Sequence, residues 1–149
     1  MFYIRKFIIS RKYTYISEDV KMLSINDISI ITVTFNSEKI IKKFLLQPEL
    51  ENFNDRKIII VDNNSEDKTI KTINNIGKKY KIIRNIQNFG YGKGVNIGMI
   101  EVKSKYCLIV NPDLIFEKNF FTKLLSGIER NTGFGLIAPR LSKLFQYKL

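Results

Sequence analysis

The sequence predicts an α/β fold in which a mostly parallel sheet is flanked by helices on both faces. Short apolar segments alternate with amphipathic ones from residue 28 to residue 138, in the order β-α-β-α-β-α-β-α-β. Such alternation indicates parallel strands, because each strand is reached from the previous one through a helical crossover. Small polar or acidic residues follow three of the strands, at the sheet edge where these folds bind ligands.

The first two predicted strands cover residues 28–35 and 58–61, which are rich in β-branched residues. Between them, apolar residues recur at helical spacing over residues 40–45, and Pro48 ends that helix. A second helix is expected over residues 70–76, after a polar turn.

The third and fourth strands are predicted at residues 81–84 and 106–110, joined by a glycine-rich loop at 88–94 and a helix that follows it. An amphipathic helix over residues 120–128 and a last strand over 134–138 complete the series.

Composition suits one domain with a sizeable core: the chain has 149 residues, 44% of them hydrophobic and 26% charged. Residues 1–27 show no clean periodicity, and we expect them to form a mobile N-terminal extension. The domain is expected over residues 28–141, followed by a tail over 142–149.

Charge and residue usage exclude several kinds of chemistry. The absence of histidine excludes Ser-His-Asp catalysis and most zinc sites, and the single cysteine, Cys107, lies in an apolar run that predicts a buried, inert thiol. The net charge of +11 comes from lysines spread along the chain. This spread favours a solvated basic surface over a nucleic-acid site and is compatible with attraction of an anionic ligand. No segment approaches the length of a membrane span, so a cytoplasmic location is expected.

Three local motifs are candidates for a binding site, and each is also compatible with an ordinary turn. Asp62 follows a buried strand and suits the N–H donor of a uracil or thymine ring. The loop at 88–94 has three glycines but matches neither the dinucleotide fingerprint nor the P-loop. Asp113 lies just beyond another strand and suits Mg²⁺ or Mn²⁺, which needs few carboxylates when a diphosphate supplies the other oxygens.

Taken together, four ordered blocks resemble the amino-terminal part of a family 2 glycosyltransferase with a GT-A-type fold. The blocks are Ile31–Asn36, Ile59–Asp67, Asn88–Gly98 and Leu108–Asp113. Their Asn-Pro-Asp triplet is similar to that of the rhamnosyltransferase-like branch. The resemblance implies a nucleoside diphosphate-sugar donor, such as a UDP- or dTDP-sugar, a saccharide or lipid-linked acceptor, and transfer with inversion.

The resemblance also implies roles for individual residues. Asp113 would coordinate a divalent metal, Mg²⁺ or Mn²⁺, and Asp62 would bind the base. The remaining residues expected around the donor nucleotide are Thr34, Asn36, Asn88, Gly90, Asn96 and Asn111. The catalytic base stays unassigned, because only 36 residues follow Asp113 (149 minus 113).

Several alternatives stay open at this stage. The chain is expected to be a truncated enzyme, which would leave an inactive donor-binding remnant or one subunit of a split enzyme whose partner chain supplies the acceptor half. An unrelated Rossmann-like nucleotide-binding module is a further alternative, and nucleic-acid binding is the least favoured. Peripheral attachment to the inner face of the membrane is compatible with the basic charge.

Overall fold

A computed structural model of the protein describes residues 7–10 through their backbone, and residues 23–131 and 133–138. The strands are β1 (Phe7–Ser10), β2 (Ile28–Thr34), β3 (Ile58–Asp62), β4 (Lys81–Arg84), β5 (Tyr106–Val110) and β6 (Leu136–Ile137). The helices are α1 (Glu38–Leu45), α2 (Thr69–Asn74), α3 (Tyr91–Ile100) and α4 (Phe120–Arg130). The predicted alternation from residue 28 onward is confirmed.

The strands form one six-stranded sheet in the order β4-β3-β2-β5-β1-β6. Strands β2 to β5 are mutually parallel, whereas β1 is antiparallel to both β5 and β6. The order places β2 between β3 and β5, so the carboxyl ends of these three strands meet at one edge. The predicted α/β fold with a mostly parallel sheet is confirmed.

Hydrophobic packing on the two faces of the sheet explains the position of the helices. Residues of α1, α2 and α4, such as Phe44, Ile73 and Leu124, belong to the larger core cluster on one face. The opposite face carries a smaller cluster that includes Ile31 and Val95, and α3 packs there. Both faces of β2 and β3 are thereby buried, as continuous apolar strands require.

Two glycines bring α3 unusually close to the sheet. A Cβ atom at Gly94 would lie 2.8 Å from Cγ1 of Val33, and one at Gly98 would lie 2.9 Å from Cγ2 of Ile31. Residues 91–94, predicted as part of a loop, instead form the first turn of α3. Glycine disfavours helices by intrinsic propensity, but close packing on β2 outweighs that preference here.

The amino-terminal segment contributes structure that the sequence does not predict. The strand Phe7–Ser10 pairs with β5, about a hundred residues away in sequence, and Ile25–Asp27 forms a 3-10 helix. A four-residue strand is too short for a periodicity signal, so its distant partner decides its conformation. The expected mobility of residues 1–27 stays a prediction, and the tail at 142–149 lies outside the described residues.

Candidate functional site

An open cleft of about 970 Å³ lies at the carboxyl ends of β2, β3 and β5, beside the amino-terminal turn of α3. Six of the eight residues predicted to bind donor or metal line it: Thr34, Asn88, Gly90, Asn96, Asn111 and Asp113. The other two, Asn36 and Asp62, are not among its lining residues. The fold therefore gathers most of the predicted site from three of the four sequence blocks.

Asp62 is fully buried and is engaged within the protein. Its Oδ1 accepts hydrogen bonds from Thr34 Oγ1 at 2.9 Å and from Ser65 Oγ at 2.5 Å, and its Oδ2 accepts one from the Ser65 backbone N–H at 2.9 Å. These contacts are those of a turn-forming aspartate that also fixes the end of the neighbouring strand. Contact between Asp62 and a base stays a prediction, and it requires the turn at 62–65 to admit the base.

Asn36 joins the loop after β2 to the loop after β3. Its backbone N–H donates to Ser65 Oγ and its side-chain oxygen accepts from the Glu66 N–H, both at 2.9 Å. The residue adopts a positive φ of 47°, which asparagine tolerates better than most residues. Asn36 thus holds the cleft's first loop in place from outside the lining.

The same two loops are joined again at the start of α1. The Ser37 N–H donates to Thr69 Oγ1 at 2.7 Å, and the Glu38 N–H donates to Asp67 Oδ2 at 3.0 Å. The α1 N-cap residue, Ser37, makes no side-chain capping bond, so these donors of the first turn are satisfied by the neighbouring loop. Partial burial would raise the pKa of Asp67, but hydrogen bonds from Thr69 and Glu38 outweigh it and hold the pKa below its usual value.

Asn63 connects the strand ends to the glycine-rich turn, a role that the sequence does not reveal. Its Nδ2 donates to the Gly90 carbonyl at 3.1 Å, and its Oδ1 accepts from Asn85 Nδ2 at 2.7 Å. Gly90 has a φ of 81° and is held from its other side by Asn88, whose Oδ1 accepts the Gly90 N–H at 2.9 Å. The amino-terminal turn of α3 is therefore fixed in place before any ligand binds.

Asp113 is exposed and lines the cleft. Within the described residues, its carboxylate takes part in no hydrogen bond or ion pair, and no three Cys, Asp or Glu side chains come together as a metal-binding group. A single free carboxylate fits a metal ion that takes its remaining ligands from a diphosphate. It does not fit a metal site built from protein ligands alone.

Large apolar and aromatic side chains form much of the cleft wall. Phe35 and Tyr91 are 49% and 41% exposed, and Ile40 and Leu136 are exposed beside them. The sequence motifs do not mark Phe35 or Tyr91 as site residues. One feature of the sequence could have indicated them: Phe35 directly follows a strand and Tyr91 begins a helix, and large aromatic residues are not required for packing at such positions.

Cys107 is the second residue of β5 and is fully buried. Burial raises the pKa of its thiol to about 12. The thiol therefore stays protonated at neutral pH, which agrees with the predicted inert role.

Comparison with known proteins identifies the family. The model of glycosyl transferase family 2 matches residues 29–143, more than three quarters of the chain. The chain belongs to this family. The predicted family is confirmed, and the alternative of an unrelated Rossmann-like module is wrong.

Two curated relatives are similar over part of their length. An uncharacterized glycosyltransferase of Haemophilus influenzae is 26% identical over 107 residues, which cover 70% of this chain and 33% of the relative. A low-salt glycan biosynthesis hexosyltransferase of Haloferax volcanii is 29% identical over 126 residues, which cover 82% of this chain and 39% of the relative. The chain thus spans between a third and two fifths of the length of these glycosyltransferases.

Solved structures share the fold. Residues 1–349 of S. aureus TarS in complex with UDP match with a TM-score of 0.60 and 23% identity, over 69% of this chain and 32% of that fragment. A mannosyltransferase of Pyrobaculum calidifontis, solved with GDP-Man and Mn²⁺, matches with a TM-score of 0.56 and 15% identity, over 62% and 29% of the two chains. These matches confirm the GT-A-type fold. In the part of the chain described here, no helix is both long and apolar enough to cross a bilayer.

Proposed function

We propose that the cleft binds a nucleoside diphosphate-sugar together with a divalent metal ion, as the donor half of an inverting glycosyltransferase. One observation carries the proposal: among the described residues that line the cleft, Asp113 has the only carboxylate, and that carboxylate is free. Support comes from the family, and from similar folds that have been solved with UDP, with UDP-GlcNAc and with GDP-Man and Mn²⁺.

The cleft suggests an orientation for the donor. The diphosphate would lie near Asp113 and Asn111, and the base would lie beyond the end of β2, where Phe35 offers an exposed aromatic face. Aromatic side chains stack on nucleobases with little preference for one base over another. A pyrimidine base placed there would be next to Thr34 and above the buried Asp62.

The chemistry that follows is a direct displacement at the anomeric carbon. The acceptor hydroxyl oxygen forms a bond to that carbon, the bond to the diphosphate oxygen breaks, and the hydroxyl proton passes to a base. A divalent metal, Mg²⁺ or Mn²⁺, neutralises charge on the departing diphosphate when it is bound. Asp113 would hold that ion, and the rigid turn at Gly90 would exclude water from one side of the donor.

No residue is assigned as the catalytic base. Glu129, the one carboxylate on α4, accepts a hydrogen bond from the Leu23 N–H at 3.0 Å and is not among the cleft residues. We expect donor binding with little or no sugar transfer by this chain alone, with the acceptor half supplied by further sequence or by a partner chain. Sustained transfer to a saccharide acceptor by the purified chain would contradict this expectation.

Calorimetry with a nucleotide panel tests the proposal. UDP, dTDP and GDP, and the corresponding sugar nucleotides, are titrated into the purified protein with and without Mn²⁺. We expect metal-dependent binding of UDP or dTDP and of their sugar nucleotides, including dTDP-rhamnose, as the rhamnosyltransferase-like triplet suggests. Tight binding of NAD⁺, or of an oligonucleotide with a steep salt dependence, in place of these ligands would reject the proposal.

The basic charge of the chain suggests a location for the protein in the cell. A net charge of +11 favours contact with an anionic membrane surface, where a lipid-linked saccharide acceptor would be found. We therefore propose that the protein associates peripherally with the cytoplasmic face of the membrane. Co-sedimentation with anionic vesicles, and none with neutral vesicles, is the expected result.

A further inference from the structure

Tyr91 lines the cleft from the first turn of α3. It is the first residue of α3 and follows Gly90, which is hydrogen-bonded by Asn63 on one side and by Asn88 on the other. The backbone that carries the tyrosine is therefore held before any ligand arrives. Residues preorganised in this way lose little freedom when they bind.

The ring is exposed where other large apolar side chains are also exposed. Tyr91 is 41% exposed, and Phe35, Ile40 and Leu136 share the same cleft. Single exposed apolar residues are ordinary, whereas a cluster of them in one concave surface indicates a binding surface.

The phenol group is a hydrogen-bond donor that has no acceptor in the described part of the chain. No hydrogen bond of the Tyr91 hydroxyl occurs among the described residues. Tyr91 lines the same cleft as Asp113, whose carboxylate is proposed to hold the metal, and a phenol hydroxyl is a hydrogen-bond donor that carries no charge.

We propose that Tyr91 is a specificity-determining residue whose hydroxyl donates a hydrogen bond to a diphosphate oxygen of the donor. The inference rests on the proposed function and assigns to Tyr91 the part of the ligand that lies beside Asp113. A neutral donor suits that position, because it adds a charge-assisted hydrogen bond without competing with the metal for the carboxylate. Tyr91 thereby favours nucleoside diphosphates over nucleoside monophosphates.

Calorimetry of UDP and UMP in the presence of Mn²⁺ tests this assignment on three proteins: the wild type, Tyr91→Phe and Tyr80→Phe. The first variant keeps the ring and removes the hydroxyl. The control removes a hydroxyl that is buried without a hydrogen-bond partner among the described residues. We expect Tyr91→Phe to weaken UDP binding about tenfold or more while UMP binding changes less than about twofold. We expect Tyr80→Phe to change neither.

Two results would overturn the inference and leave the proposed function standing. Tyr91→Phe would bind UDP as tightly as the wild type, or it would lose affinity for UDP and UMP by the same factor, which would place the residue at the nucleoside end. A wild-type protein that binds neither nucleotide would overturn the proposed function and this inference together. Thermal melting of each variant confirms that it is folded under the conditions of the titration.

Discussion

At the residue scale, the environment of Asp62 is the most informative detail of the site. Its carboxylate is saturated on one oxygen by Thr34 and Ser65, and its second oxygen accepts one backbone N–H. A carboxylate oxygen has two lone pairs, so Oδ2 keeps one acceptor position. If the N–H of a nucleobase reaches that position, Asp62 binds the ligand directly; if it does not, the role of Asp62 is purely structural.

A base analogue distinguishes these two roles. If Asp62 accepts the ring N–H of uracil, methylation of that nitrogen removes one hydrogen bond to a charged group. The binding free energy of UDP to the wild type should then become less favourable by about 1.5–3 kcal/mol. The penalty then disappears in Asp62→Ala, whose remaining affinity is the same for UDP and for N3-methyl-UDP. Calorimetry with both nucleotides gives the comparison. An unchanged penalty in Asp62→Ala assigns the carboxylate to holding the turn at 62–65.

At the scale of elements, the cleft depends on how closely α3 approaches β2. Gly94→Ala places a Cβ atom against Val33, and we expect it to lower the free energy of unfolding by about 1–3 kcal/mol, the usual cost of overpacking. Gly92→Ala is the matched control on the same helix turn. Its added Cβ meets no atom within 4 Å, so we expect equal or greater stability from the higher helix propensity of alanine. Chemical denaturation measures both, and equal effects would refute the packing role of Gly94.

The link between the first two loops makes a pH-dependent prediction. We expect Asp67→Asn to lower stability by about 1 kcal/mol at pH 7, because the Glu38 N–H in the first turn of α1 loses a charged acceptor. The pKa of Asp67 is lower in the folded state than in the unfolded state. Its contribution is therefore complete above the unfolded pKa of about 4, and it is lost as the pH falls through the folded value.

Denaturation at a series of pH values tests this link. The difference between wild type and Asp67→Asn should shrink as the pH falls below about 4. Glu66→Gln serves as the control, because Glu66 is exposed and its side chain makes no hydrogen bond among the described residues. If the difference in free energy of unfolding between wild type and Asp67→Asn stayed constant from pH 7 to pH 3, the charge of Asp67 would not be the source of its stabilising effect.

At the scale of the whole molecule, the sequence predicts the fold better than it predicts the details of the site. The strands at 81–84 and 106–110 match the structure at both ends. The second is a continuous apolar run followed by polar residues, which leaves little freedom in where it ends. Asp113, Asn111 and Asn96 are brought into one cleft because parallel strands and their crossovers end at the same edge.

The remaining features depend on contacts between distant residues, which a single sequence does not encode locally. Burial of Asp62 depends on Thr34 of the neighbouring strand, and the start of α3 at Tyr91 depends on packing of its glycines against β2. The strand at Phe7–Ser10 likewise depends on β5. The hydrophobic periodicity of a single element predicts none of these contacts, because each contact joins residues from different elements.

A metal-dependent donor site at Asp113 is tested most directly by Mn²⁺-dependent UDP binding in three proteins. In the wild type we expect Mn²⁺ to strengthen binding by about tenfold or more, equivalent to about 1.4 kcal/mol. Asp113→Asn should abolish this gain, whereas Glu117→Gln, which changes an exposed carboxylate outside the cleft, should keep it. A gain from Mn²⁺ that survives in Asp113→Asn would contradict the account.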